Sequence, residues 1–312
     1  MKAAERLVIV TRRTRLEELL VRFNTRSQAR FFLERGGAEY ADYEAEHETY
    51  HRSLDQLRRA LDLGLPRQFI DRTLAPSYLF QAPDLVVTVG QDGLVANVAK
   101  YATGIPIVAV NPDPARFDGV LLPFSTAEAG AVVQRALEGS APVRRVTLAE
   151  AVLADGQRLL AFNDLFVGAR SHVSARYRLE VGGATELQSS SGILVSTGAG
   201  STGWMSSVFN MAEGVASFTG GAAGTPVRLA WEDGRLLFAV REPFRSRQSG
   251  VSVVAGLLPA GEPLRVESRM PAGGVIFSDG MESDCLPFDA GAIAEIRAAA
   301  RHAHLVTRNE EP

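Results

Sequence analysis

The sequence predicts an α/β domain followed by a β-rich domain, and three observations predict it. At 312 residues the chain is long enough for two hydrophobic cores of roughly 100–200 residues each. Between Leu85 and Val110, apolar runs alternate with a glycine turn and a helix-like stretch, the rhythm of a parallel sheet. After about Ala141 the texture changes to short alternating segments separated by Gly, Ser, Pro and Asp, which predicts antiparallel strands. The expected domains are residues 1–141 and 142–312, with roughly the last 20 residues free to return to the first, since chain ends often lie close together.

Leu7 to Val10 is a short apolar run and reads as a first buried strand. A polar, helix-like region follows from about Thr14 to Leu63, broken at Gly36-Gly37. Within it Tyr43, His47, Tyr50, Leu54, Leu57 and Leu61 recur every three or four residues, one stripe of a helix. Leu85–Val89 is a second strand ended by Gly90, Val95–Tyr101 is helical, and Ile105–Val110 is a third strand ended by Asn111-Pro112. A helix from Ala127 to Leu137 closes the first domain. In the second, strands are expected at Arg144–Thr147, Leu159–Phe162, Arg176–Val181, Ile193–Ser196, Val227–Trp231, Leu236–Val240, Leu264–Glu267 and Val275–Ser278. One helical insertion is expected to start near Trp204.

Composition excludes several function classes. With 33 basic and 36 acidic side chains the net charge is −3, so there is no basic footprint for nucleic acid. Lysine occurs only at Lys2 and Lys100, and neither sits in a Walker A loop. The strand lysine and HRD loop of a protein kinase are also missing. Cys285 is the single cysteine, which leaves no internal disulfide and no multi-cysteine zinc site. The start is too short and too charged for a signal peptide, and no apolar run approaches the ~18 residues of a membrane span. The expectation is a soluble, cytoplasmic protein without a membrane partner.

Four constellations carry chemistry. Gly90-Gln91-Asp92-Gly93 follows a strand, where open α/β sheets bind ligands. Its glycines would let a phosphate approach backbone N–H groups at a helix N-terminus, and Asp92 supplies a carboxylate for a hydroxyl or a metal. Ser196-Thr197-Gly198-Ala199-Gly200-Ser201-Thr202-Gly203 is a second small-residue loop before a helix. It also spells G-x-G-x-x-G, but the strand and acid that a dinucleotide-binding unit needs afterwards are missing. His47-Glu48-Thr49-Tyr50-His51 spells H-E-x-x-H, although its surroundings are polar and no third ligand is apparent. His47 also falls on the Tyr/Leu stripe, so a packed, hydrogen-bonded histidine is the simpler account. Asn163-Asp164, after a strand, reads as a turn by itself.

Taken in order, these residues resemble the NAD kinases. That family carries a GGDGT motif after a strand, an Asn-Glu pair opening the second domain, and a hydroxyl-rich loop before a helix. Gly90–Leu94, Asn163-Asp164 and Ser196–Gly203 stand at similar order and spacing. Finer matches are to the diverged, mitochondrial-type branch: Thr14–Glu17, Asn111–Arg116, Asn163–Gly168, Ser190–Gly192, Ser278–Gly280 and Phe288–Gly291. Two departures stand out, because GGDGT has become Gly-Gln-Asp-Gly-Leu and the acid of the Asn-Glu pair is shortened to Asp164.

The resemblance implies a Rossmann-like, phosphofructokinase-like N-terminal α/β domain and a C-terminal β-sandwich-like domain with the site between them. It implies transfer of the γ-phosphoryl of ATP to the 2′-hydroxyl of the adenosine ribose of NAD, giving NADP, with a divalent metal such as Mg2+. Asp92 would be the catalytic carboxylate, and Gly90, Gln91 and Gly93 would face the phosphates of ATP. Asn163, Asp164, Ser191, Ser196, Ala199, Gly200, Ser201, Thr202, Gly203, Trp204 and Ser207 would bind NAD. No residue is assigned to the metal, and a homodimer or homotetramer is expected. The alternatives left open are a related kinase with a sugar or lipid hydroxyl acceptor and a non-catalytic NAD-binding protein.

Overall fold

Leu7, Val8, Ile9 and Val10 have no exposed surface, which makes β1 (Arg6–Thr11) an interior strand flanked on both sides. The computed structural model describes residues 4–222 and 224–308. The chain folds into two units, one running to Arg144 and resuming at His304, the other spanning Arg145–Ala303.

In the first unit β1 is followed by α1 (Arg15–Phe23), α2 (Arg26–Arg35) and α3 (Tyr40–Ala60). The sequence predicts one region broken at Gly36-Gly37. A second break precedes α2, because Asn24 takes a left-handed conformation at φ 61° and Thr25 caps the next helix. Thr14 begins α1 with a capping box: its hydroxyl accepts from the Glu17 N–H, and the Glu17 carboxylate accepts from the Thr14 N–H. Next come β2 (Arg67–Asp71), which its exposed, polar sequence conceals, and then a 3-10 turn. They are followed by β3 (Asp84–Val89), α4 (Asp92–Ala99), β4 (Pro106–Asn111), the short β5 (Phe124–Ser125) and α5 (Ala129–Leu137).

The parallel strands run in the order β4-β3-β1-β2, with β5 paired to β4. Leu54 and Leu57 of α3, Leu61 just after it, and Val132 and Val133 of α5 pack on this sheet in one core.

The second unit is almost entirely antiparallel. Its elements are β6 (Val143–Leu153), β7 (Arg158–Ala161), β8 (Asp164–Ala169), β9 (Ala175–Val181), β10 (Ala184–Ser190) and β11 (Ile193–Ser196). A 3-10 turn (Ala199–Thr202) and α6 (Trp204–Phe218) precede β12 (Leu236–Val240), β13 (Ala255–Leu258), β14 (Leu264–Ser268), β15 (Gly274–Ser278), β16 (Met281–Pro287) and β17 (Ile293–Val306).

One sheet orders β13-β12-β11-β8-β15-β16, and the other has β10-β9-β14-β17, with β6 on β17 and β7 on β6. Leu165, Val167, Val195, Phe238 and Ile276 of the first meet Tyr177, Leu179, Val266 and Ile296 of the second in one buried core. This is a β-sandwich. The segment Val227–Trp231, expected as a strand, is irregular, and its Leu229 packs with Met205 of α6 and Leu237 of β12.

Candidate functional site

Each candidate segment is built within its own unit. In the first, β3 ends at Val89 and the chain turns directly into α4. The turn is tight at Gly90: a Cβ would come within 2.9 Å of Leu94 Cδ2 and 3.3 Å of Arg12 Cδ, so those side chains would have to shift. Gln91 caps α4 in extended backbone, φ −109° and ψ 167°, which any residue adopts. The side chain that replaces a glycine therefore costs the turn no strain. Gly93 lies in the open, with nothing within 4 Å of a Cβ. Leu94 is buried against Gly90, so the position where the NAD kinase motif carries a hydroxyl is part of the core here.

Asp92 occupies the first turn of α4, half-buried, where the helix dipole favours a negative charge. Its Oδ1 accepts the Leu121 N–H at 2.7 Å, which fixes the carboxylate. The loop that supplies Leu121 is itself built around Asn111, whose amide donates to the Phe117 carbonyl at 2.9 Å and accepts the Asp113 N–H at 3.0 Å.

Sequence reasoning missed Arg12. At the end of β1 it is 8% exposed and lies beside Gly90, held to Glu46 of α3 at 2.8 Å. Its guanidinium stacks on Tyr50 and Phe117. Glu46 also pairs with Arg15, and Arg12 and Arg15 hold its carboxyl below the usual range against the opposing effect of burial. The Tyr50 hydroxyl accepts the Arg12 N–H at 3.0 Å and donates to the Val89 carbonyl at 3.1 Å, joining the ends of β1 and β3. Burial pushes the Tyr50 phenol up to about 12.

In the second unit, Ser196 at the end of β11 stands opposite Asp164 at the start of β8. Both neighbours of β11 are antiparallel, so the glycine loop after it is not a dinucleotide-binding βαβ turn. The hydroxyls of Ser196, Thr197 and Ser201 are turned inward. Thr197 Oγ1 donates to the Phe162 carbonyl at 2.6 Å and accepts the Gly200 N–H at 3.2 Å. Ser196 Oγ donates to the Thr197 carbonyl at 3.1 Å, and Ser201 Oγ donates to the Gly198 carbonyl at 2.7 Å. Gly198 and Gly200 lie so close to the carbonyls of Ala230 and Asn163 that neither accepts a Cβ. Ala199 is buried, whereas Ser191, Thr202, Gly203 and Ser207 are exposed and Asn163 is half-buried.

Asp279 and Gly280 form the two-residue turn between β15 and β16, both with positive φ, at 53° and 70°. This turn aims the Asp279 carboxylate at the Asn163-Asp164 corner, where it accepts the N–H groups of Phe162, Asn163 and Asp164 at 3.0, 2.7 and 3.3 Å. The Asp164 carboxyl is buried. Burial, and then the neighbouring Asp279 charge, push it up to about 7.

Trp204 opens α6 and stacks on Phe166 with ring centroids 5.8 Å apart and an interplanar angle of 13°. The Phe166 ring lies over Gly168 and Gly192, whose missing side chains make room for it. Phe277 adjoins it at 4.8 Å, and the Arg241 guanidinium sits 5.3 Å from the Trp204 ring. With Arg170 and Glu282 these residues line a cavity of about 160 Å³. An aromatic shelf beside a guanidinium suits a planar ring carrying negative charge nearby. Only Trp204 was legible in the sequence. Phe166 and Phe277 lie on paired strands and Arg241 directly follows a third, so the fold alone brings them together.

No protein-family model and no curated protein matches this chain. Solved structures do match. Yeast NADH kinase, in a crystal structure with NADH, has 17% identity and a TM-score of 0.56, covering 99% of this chain and 85% of that one. An NAD kinase from Archaeoglobus fulgidus, in complex with ATP, has 19% identity and a TM-score of 0.55, covering 98% and 94%. This chain has the NAD kinase fold. The expected α/β unit and β-sandwich are therefore the NAD kinase arrangement of elements. Among the described residues no helix is long and apolar enough to cross a membrane.

Proposed function

We propose that the chain is an ATP-dependent NAD kinase, nearest the diverged mitochondrial-type branch, that makes NADP from NAD. One observation carries the proposal. Asp92 stands at the carboxyl end of a buried parallel strand, in the first turn of the next helix, within a fold shared with NAD kinases along nearly its whole length. In the reaction, the free oxygen of Asp92 takes the proton of the 2′-hydroxyl as the ribose 2′-oxygen bonds to the γ-phosphorus. The bond from the γ-phosphorus to the bridging oxygen breaks, and ADP leaves.

The other roles follow from the geometry. Backbone N–H groups at the start of α4, with Gly93 open beside them, receive phosphate oxygens. Arg12, beside Gly90 and paired with Glu46, holds the end of β1 against the turn that presents those groups. For NAD, the exposed Ser191, Thr202, Gly203 and Ser207, with Asn163, Asp164 and the Trp204 ring, are the contact candidates. Ser196, Ala199, Gly200 and Ser201 shape the loop that presents them.

Among the described residues, the one His/Cys/Asp/Glu triad close enough to hold a metal is Glu17, His47 and His51, not a set around Asp92. Mg2+ fits this site in its usual manner, carried by the phosphates of ATP with few protein ligands. There it would neutralise charge on the phosphates. A homodimer or homotetramer belongs to the same proposal.

The test is direct. Purified chain with ATP, Mg2+ and NAD should form NADP, and Asp92→Asn should lower kcat by about 10²–10⁴-fold while the protein stays folded. Turnover that the substitution leaves unchanged would remove Asp92 from the chemistry. Product on a sugar or lipid acceptor but not on NAD would replace the substrate.

A further inference from the structure

The H-E-x-x-H stretch has no role in the proposed kinase, yet the fold gives it the third ligand its sequence lacked. His47 and His51 lie one turn apart on α3, so both rings leave the same face, with centroids 4.4 Å apart. Glu17 comes from the first turn of α1. Its Oε2 accepts the Thr14 N–H at 2.8 Å, and its Oε1 lies 2.9 Å from His51 Nε2. The Thr14 hydroxyl, 2.9 Å from His47 Nδ1, holds that ring against the start of α1.

We propose that Glu17, His47 and His51 form a binding site for one divalent transition-metal ion, with Zn2+ the best-matched class. Two imidazoles and a carboxylate are borderline donors suited to zinc, and three protein ligands leave the fourth tetrahedral position to water. One ligand atom from each residue falls within 4.8 Å of the other two. With metal–ligand bonds of about 2.0–2.1 Å, tetrahedral neighbours stand about 3.3 Å apart. The Glu17 Oε1–His51 Nε2 distance of 2.9 Å lies just below that value and the 4.8 Å bound lies above it, so closing on an ion asks for movements of about 1 Å at side-chain ends. His51 and Glu17 are free to make them, since their side chains are 45% and 30% exposed. The backbone stays in place, because the capping box and α3 already fix it. Thr14 supplies the outer hydrogen bond that commonly orients a metal-bound imidazole. Glu48, the acid of the H-E-x-x-H stretch, is exposed and has no part in the site. The ion would tie the start of α1 to the middle of α3, a cross-link independent of the kinase reaction.

The test uses the full chain, stripped of metal and titrated with Zn2+ by calorimetry and with Co2+ by visible absorption. One equivalent should bind, and Co2+ should give the spectrum of a tetrahedral site with imidazole ligands. His51→Ala and Glu17→Gln should each weaken binding by at least about 100-fold, since loss of an outer hydrogen bond alone costs 10–100-fold. His302→Ala, on β17, should leave it unchanged. If Glu17→Gln disturbs the helix cap, the more exposed His51→Ala decides. Absence of a stoichiometric site, or binding that survives His51→Ala, would overturn the proposal.

Discussion

The buried Asp164 carboxyl gives a stability effect whose sign and pH window can be worked out in advance. Its ordinary value is 3.8, and burial with the Asp279 charge raises it to about 7 in the folded chain. Below 3.8 the group is protonated in both states and costs nothing. Between the two values the unfolded chain ionises while the folded chain stays protonated, so stability is lost steadily as pH rises, at 1.36 kcal/mol per unit. Over that window the loss reaches roughly 4 kcal/mol, a large fraction of a typical 5–15 kcal/mol. Asp164→Asn removes the titration while keeping the shape. Urea unfolding of both proteins at pH 4.5, 6 and 8 isolates the effect of Asp164 together with its coupling to Asp279, because groups that do not interact with Asp164 cancel in the difference. The advantage of the variant should be smallest at pH 4.5, grow by about 1.4 kcal/mol per unit and level off above pH 7. A difference that does not change with pH would show that Asp164 is not held in a medium hostile to charge, and the placement of the Asp279 turn beside it would fall too.

Three further outcomes follow from the same structure. Glu46→Ala strands the buried Arg12, while Arg15 keeps Asp42, and should cost about 3–5 kcal/mol, read as a lower urea midpoint at unchanged slope. Gly200→Ala drives a methyl into the Asn163 carbonyl and should abolish folding or cost several kcal/mol, which thermal unfolding reports. Gly93→Ala, in contrast, meets no neighbour within 4 Å and stiffens a helix, so it should raise stability by up to about 1 kcal/mol in the same measurement.

The first unit was legible because buried parallel strands announce themselves as unbroken apolar runs, as Leu85–Val89 does. Exposed or small-residue strands do not. Asp164–Ala169 was hidden because its opening residues read as a turn, and the alanine-rich Ile293–Val306 carries helix formers throughout its middle. Pairing with β14 overrides that preference, and the last residues add a parallel contact of His304 and Leu305 with Pro106 and Ile107. Among site residues, Asp92 and the glycines showed through because their motif is local. Arg12, Phe166, Phe277 and Arg241 did not, since each is defined by neighbours far away in the chain. The hydroxyls of Ser196 and Ser201 show a second limit of sequence: their type suits a ligand, but that they also donate to carbonyls of their own loop is visible only in the fold. The third partner of His47 and His51, thirty residues upstream, also required the fold to bring it near.

The Tyr50 phenol acts as a clasp whose one oxygen is lent to two chain ends at once, as acceptor for one and donor to the other. A tyrosinate could keep the first contact but not the second, so the clasp has an alkaline limit set by its own ionisation, which burial has moved up to about 12. Below that limit the phenol stays protonated and can serve both chain ends at once. A phenylalanine there would fill the same volume, yet leave Arg12 and the turn after Val89 free to drift apart.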